Sequence, residues 1–238
     1  ADIQSAWGEK TKGVLLASPA NPTGTMLDAD ELIAIQGFVA AQGGFFILDE
    51  IYQNLTRDHV TYTSGLSLCP DIFVLNSFSK YFGMTGWRLG WVVVPDAAVE
   101  ALTKLAQNLF ISPSTPAQYA AVAAFADDAM SIHSQRKETF ETRAKILYEG
   151  LVALGFSIPV IPDGAFYLYV DISHTNMDSA DFCWRLIEEY QVAVTPGYDF
   201  GDSDAGRYVR FAYTTSEEAI LLGLERIDQA LQDWGLKV

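Results

Sequence analysis

Lys80 stands in the stretch 77-SFSKYFGMTGWRLGW-91, directly behind the apolar run DIFVLNS and among hydroxyls, glycines and aromatic rings. A lysine leaving a buried strand into such surroundings sheds its proton cheaply, because desolvation disfavours the ammonium, and the neutral amine makes Schiff bases with carbonyls. The carbonyl most often used in this way belongs to pyridoxal 5'-phosphate (PLP). That cofactor asks for three further things: anchors for its phosphate, an acid on its pyridine nitrogen and a partner for its phenolic oxygen. Ser77 and Ser79 precede Lys80, and Arg88 follows it across a glycine-rich turn; hydroxyls with a planar guanidinium suit a phosphate dianion. Asp49 ends the run GFFILDE, where its carboxylate would emerge at the carboxyl end of a parallel strand and keep a pyridinium protonated. Tyr52, three residues on, falls on the same side of a helical turn. Asn21, in NPTG, lies at the end of the preceding strand, and both side chains could reach the phenolic oxygen.

These groups need a frame that brings strand ends together. GVLLAS (13–18), GFFILDE (44–50), DIFVLNS (71–77) and LGWVVVP (89–95) read as buried strands, being nearly continuous hydrophobics bounded by Gly, Pro and polar residues. Between the first two lies DADELIAIQGFVAAQGG, with Asp28 or Asp30 as N-cap and Gly43 as stop, which makes a strand-helix-strand unit and implies parallel pairing. Only a short, glycine-rich connection separates the third run from the fourth, too little for a helical crossover, so the fourth strand is expected antiparallel. Long helical patterns follow: PDAAVEALTKLAQNLF, then a stretch from Pro116 to Leu154 with a break expected near Asp127. Beyond it come GFSIPVI and GAFYLYVDI as strands, the helix SADFCWRLIEEY, the strand RYVRFAYT and a closing helix SEEAILLGLERIDQALQDW. The whole reads as α/β: part of a mostly parallel sheet flanked by helices over 1–130, and a smaller α/β domain over 131–238.

Composition narrows the partners. Fifteen Lys and Arg against thirty Asp and Glu give a net charge of −15 over 238 residues, which repels nucleic acid and anionic membranes. Half the residues are hydrophobic, enough for a sizeable core. No stretch has the length of a membrane span and no leader pattern opens the chain. Cys69 and Cys183 are too few for a disulfide framework, and with His59, His133 and His174 they suggest no metal site. A reducing, cytoplasmic setting is expected.

NPTG at 21–24, LDEIY at 48–52 and SFSKYFGMTGWRLG at 77–90 together resemble the three signatures of the class I/II aminotransferases of the PLP-dependent aspartate aminotransferase superfamily (fold type I), in the family's order and spacing. The lysine segment is the specific part; NPTG alone would be weak. The resemblance implies Lys80 as the Schiff-base lysine and proton shuttle, Asp49 as the pyridinium partner, Asn21 and Tyr52 as phenolate contacts, and Ser77 with Arg88 as phosphate anchors. Arg210, in RYVRFAYT, matches the arginine that clamps the substrate α-carboxylate, with Asn21 beside the substrate as well. It further implies an amino acid and a 2-oxo acid as substrates, and a homodimer. The segment corresponding to the family's distal-carboxylate contact, SPSTPAQ (112–118), offers no cation.

Taken singly, these residues have plainer readings. Asp49 alone is a good helix cap, NPTG a turn, and Arg210 a solvent-facing strand residue, with Val209, Phe211 and Tyr213 on the other face. Alternatives within the resemblance are a PLP-dependent C–S lyase or decarboxylase, an aminotransferase-like effector domain of a transcription regulator, and a domain that binds PLP without turnover. The family's larger sheet has seven strands, against four here, and nothing before Asn21 matches its phosphate-cradling helix start. The chain is therefore expected to be the C-terminal part of a longer protein, with both edges of its larger sheet uncovered.

Overall fold

The computed structural model describes residues 2–236, which fall into two compact units. The first holds the chain up to Gln135 except Asn21–Thr25; the second gathers that segment with Arg136 onward.

In the first unit, β1 (Gly13–Ala17), β2 (Phe45–Asp49), β3 (Phe73–Ser77) and β4 (Gly90–Val93) form a sheet in that order. The first three strands are parallel and β4 runs antiparallel to β3, as the short connection requires. A short helix α1 (Asp2–Ala6) precedes β1. The crossover helix α2 (Ala29–Ala41) starts on a capping box: the Asp28 carboxylate accepts the Glu31 N–H, and the Glu31 carboxylate accepts the Asp28 N–H. Just past α2, Gly43 adopts a left-handed φ of +66°. Leu32 and Val39 of α2 pack on Phe46, Leu48 and Val74 of the sheet, with Ile72 and Cys69 of the short α3 (Gly65–Leu68) region completing the cluster. A second cluster gathers Phe78, Phe82 and Met84 against Ala121 and Ala124.

Three more helices follow: α4 (Asp96–Leu109), α5 (Thr115–Ala123) and α6 (Asp127–Ala153). The expected break lies just before α6, whose first turn carries Asp127 and Asp128, well placed against the helix dipole. No residue of α4 is buried, and large apolar side chains are exposed on both edge strands, Leu15 of β1 and Trp91, Val92 and Val93 of β4.

In the second unit, β5 (Tyr167–Asp171), β6 (Thr195–Pro196) and β7 (Tyr208–Ala212) make an antiparallel sheet in the order β5-β7-β6. One face, Leu168 and Val170 with Val209 and Phe211, packs against Phe182 and Leu186 of α7 (Ser179–Tyr190) and Ile227 and Leu231 of α8 (Glu217–Asp233). Asp178 and Ser216 cap these two helices through their side chains. The segment GFSIPVI, expected as a strand, is not one: Ser157 alone bridges Asp171. Pro159 and Pro162 remove two backbone donors in four residues, and Val160 and Ile161 are exposed.

Candidate active site

Within the first unit, the chemistry-bearing residues sit at the carboxyl ends of β2 and β3. Asp49 is the last residue of β2, half-buried, and its Oδ1 accepts the Ile51 N–H at 3.0 Å. That Asx-type bond turns the chain sharply and leaves the other carboxylate oxygen for a further partner. Tyr52 follows on the turn with its ring buried, and the Lys80 Nζ lies 5.2 Å from the centre of that ring. Ring and amine, twenty-eight positions apart in sequence (80 − 52), are thereby brought together at cation–π distance.

The segment around Lys80 is fixed by its neighbours. Phe78 and Phe82 are buried and packed on each other, on Trp91 and on Phe125. Ser77 Oγ donates to the Leu89 carbonyl (3.0 Å), accepts the Ser79 N–H (3.0 Å) and lies 2.9 Å from Ser79 Oγ. Arg88 is exposed and left-handed (φ +53°), and its Nη1 donates to the Thr85 carbonyl at 3.0 Å. Thr85 Oγ1 in turn donates to the Ser79 carbonyl at 2.6 Å. Thr85, which the sequence did not single out, thus ties Arg88 back to the serine turn that precedes Lys80.

Glu50 is a second residue the sequence left unassigned, although it lies inside LDEIY. Its carboxylate is buried and accepts Ser64 Oγ (2.9 Å) and the Gly65 N–H (2.7 Å). Burial, then the charge on Glu50, push the nearby Tyr62 hydroxyl well above the ordinary phenol range. Glu50 therefore pins the exit of β2, where Asp49 stands, to the start of α3.

The second unit holds Asn21 and Arg210. Gly24 explains why NPTG belongs there: its carbonyl accepts the N–H groups of Asp163 (2.9 Å) and Gly164 (3.0 Å), at a φ of +71°. Strand alternation in β7 sends Val209 and Phe211 into the core and Arg210 to the opposite face, beside Tyr167 and Tyr169 of β5. Arg210 is half-buried, so it is not an ordinary solvent-facing strand residue. Its Nη1 donates to Asn21 Oδ1 at 2.7 Å, and its guanidinium carbon lies 5.0 Å from the Tyr167 ring centre and 4.7 Å from that of Phe200. With Oδ1 turned to Arg210, the Asn21 amide keeps both of its hydrogens for another acceptor. The Arg210 Nε is buried and has no hydrogen-bond partner among the described residues. A buried cationic donor without an acceptor is costly, and a carboxylate is the ligand that fits it. Burial, then Tyr208, raise the Tyr169 hydroxyl, so the surroundings of Arg210 add no negative charge from that side chain.

Among the described residues no group of three or more His, Cys, Asp or Glu could hold a metal ion, and no helix is long and apolar enough to cross a membrane.

Residues 1–227 match the family described as "Aminotransferase class I and II". The chain is 38% identical over 217 residues to the valine–pyruvate aminotransferase of Mycobacterium tuberculosis, covering 91% of this chain and 56% of that protein. It is 34% identical over 239 residues to an aspartate aminotransferase of Geobacillus stearothermophilus, covering 97% of this chain and 60% of that protein. Among solved structures, an aminotransferase from Mycobacterium tuberculosis superposes with a TM-score of 0.93 at 36% identity, over 98% of this chain and 60% of that one. The chain thus spans 56–60% of the length of these proteins.

Proposed function

The chain belongs to the class I and II aminotransferases, and from that premise we propose that the whole protein moves an amino group between an amino acid and a 2-oxo acid with PLP. The single observation that carries the substrate half of this reading is the Arg210 guanidinium, bonded through Nη1 to Asn21 Oδ1 and held against the Tyr167 and Phe200 rings. A carboxylate is the one group that amino acids and 2-oxo acids share.

The donor set in the first unit fits the cofactor: an amine beside a buried phenol, a carboxylate at a strand end, paired hydroxyls and a guanidinium. Bound PLP would supply an aldehyde for the amine and a ring that takes up carbanion charge. Lys80 is assigned to hold the cofactor and to take the proton from the substrate Cα at Nζ. Asp49 would keep the pyridine nitrogen protonated. By family likeness Tyr52 and Asn21 are assigned to the phenolic oxygen, and Ser77 and Arg88 would hold the phosphate. Arg210, with Asn21 on its Nη1, is assigned to hold the substrate carboxylate.

A homodimer is part of this reading, supported by the exposed apolar side chains Leu105 and Leu109 of α4 and Tyr119 and Val122 of α5. So is a cytoplasmic setting, supported by two cysteines that are both free and buried. The relatives' names span valine–pyruvate and aspartate specificities.

The test is direct. Full-length protein titrated with PLP is expected to gain a visible absorption band, and borohydride reduction to fix the cofactor on the peptide carrying Lys80. A label on another lysine, or a band unchanged in Lys80→Ala, overturns the assignment. Turnover that proceeds without any 2-oxo acid would mark an elimination or decarboxylation instead.

A further inference from the structure

Arg210 is held by more than its hydrogen bond. Two rings cover its guanidinium: Tyr167, fully buried on β5, and Phe200, half-buried on the loop between β6 and β7. Tyr167 is fixed by the strand. Phe200 comes from a loop, so something must hold it in place.

That loop is built tightly. The Phe200 N–H donates to the Gly197 carbonyl at 2.9 Å, and a Cβ at Gly197 would collide with the carbonyl oxygens of Ala205 and Tyr208. The Tyr198 hydroxyl donates to Asp178 Oδ2 (2.7 Å), and Ser179 Oγ donates to the Ala205 carbonyl (2.8 Å), which ties both limbs of the loop to the start of α7. Tyr169, itself stacked on Tyr208, meets the Phe200 ring edge-on at 6.1 Å. An exposed phenylalanine on a mobile loop would have none of these restraints.

We propose that Phe200 is a positioning residue for Arg210: its ring, with that of Tyr167, keeps the guanidinium dry and oriented for the substrate carboxylate. This rests on the reading of Arg210 given above. Two faces of one interaction follow. The ring attracts the cation through its quadrupole, and it excludes water that would otherwise compete with the carboxylate for the guanidinium. A leucine of similar bulk supplies only the second.

The experiment uses full-length protein loaded with PLP and 2-aminoisobutyrate, an amino acid without a Cα proton, so that binding is read by calorimetry without turnover. Phe200→Leu is expected to raise the dissociation constant about two- to thirty-fold, the range that a cation–π contact spans. Phe200→Tyr should return it to within about two-fold of the parent, and PLP affinity should stay unchanged in both. Arg210→Ala should abolish binding. If Phe200→Leu binds as tightly as the parent while Arg210→Ala does not bind, the role of Phe200 falls and that of Arg210 stands. Equal weakening in Phe200→Leu and Phe200→Tyr overturns the aromatic role in favour of packing alone. Unchanged binding in Arg210→Ala overturns the carboxylate reading itself, and this inference with it.

Discussion

Replacing Gly24 by alanine separates two costs that glycine spares the chain. Gly24 and Gly43 both adopt left-handed backbone, at φ +71° and +66°. At Gly43 nothing lies within 4 Å of where a Cβ would stand, whereas at Gly24 that atom would lie 2.5 Å from Pro162 Cβ and 2.7 Å from the Gly164 carbonyl oxygen. Gly43→Ala therefore carries only the left-handed penalty, about 1–2 kcal/mol. Gly24→Ala carries the same penalty plus an overpacking cost of about 1–3 kcal/mol, roughly 2–5 kcal/mol in all. Neither Pro162 nor the backbone of Gly164 can swing aside as a flexible side chain would.

The readout should be local, because two compact units need not unfold as one. Asp163 and Gly164 donate their N–H groups to the Gly24 carbonyl, so hydrogen exchange at those two amides reports on the contact. In full-length Gly24→Ala both should exchange at least about thirty-fold faster, the factor corresponding to about 2 kcal/mol. In Gly43→Ala they should exchange as in the parent, with any acceleration confined to the last turn of α2. Equal rates at Asp163 and Gly164 in all three proteins would refute the claim that close approach, rather than turn geometry alone, demands glycine in NPTG.

Other predictions follow from individual contacts. Asp28→Ala removes one half of the capping box of α2 and should cost about 0.5–2 kcal/mol in a denaturant titration, while Asp28→Ser keeps most of it. Burial raises the Asp171 carboxyl, but hydrogen bonds from Arg207 and Ser173 outweigh it and hold the group below its usual value. Its contribution to stability is then complete above the unfolded-state value near about 3.9 and lost as pH falls through the folded value, so Asp171→Asn should be less stable at neutral pH and flatter below about pH 4. Burial, then Asp199 and Asp178, push the Cys183 thiol up to about 12; iodoacetamide at mildly alkaline pH should leave Cys183 unlabelled in the native protein and label it after unfolding, as mass spectrometry would show.

The first unit was largely legible in the sequence because its signals are local. Four apolar runs bounded by breakers gave four strands, and a connection too short for a helix gave the direction of β4. Asp28 with Glu31, and Gly43, marked the ends of α2. Where the reading failed, the deciding residues were few or far apart. GFSIPVI has the hydrophobicity of a strand, but Pro159 within it and Pro162 just after it deprive it of ladder donors. The two-residue β6 is too short to show a period. Asn21 and Arg210 are 189 residues apart in sequence, so no window could pair them, and only family resemblance placed both beside the substrate. Phe200 carries no sequence signal at all; a phenylalanine before a glycine in a loop is indistinguishable from packing until its ring is seen against the guanidinium.

The three polar groups that matter most share one arrangement. Asp49 stands between buried Leu48 and buried Glu50, Arg210 between buried Val209 and buried Phe211, and Lys80 two residues from buried Phe78 and buried Phe82. In the strands this is the ordinary alternation of faces; around Lys80 a turn achieves the same with aromatic rings. Each of these flanks except Glu50 is apolar and contributes about 1.5–3 kcal/mol through the water it excludes, more than a polar side chain gains from its own exposed hydrogen bonds. The position of each of these polar groups is thereby set by core packing rather than by the group itself. Conservative changes at Phe78, Phe82 or Phe211 should therefore shift Lys80 and Arg210 without touching them, while changes at Lys80 or Arg210 should, on the function proposed above, remove activity and leave the fold in place.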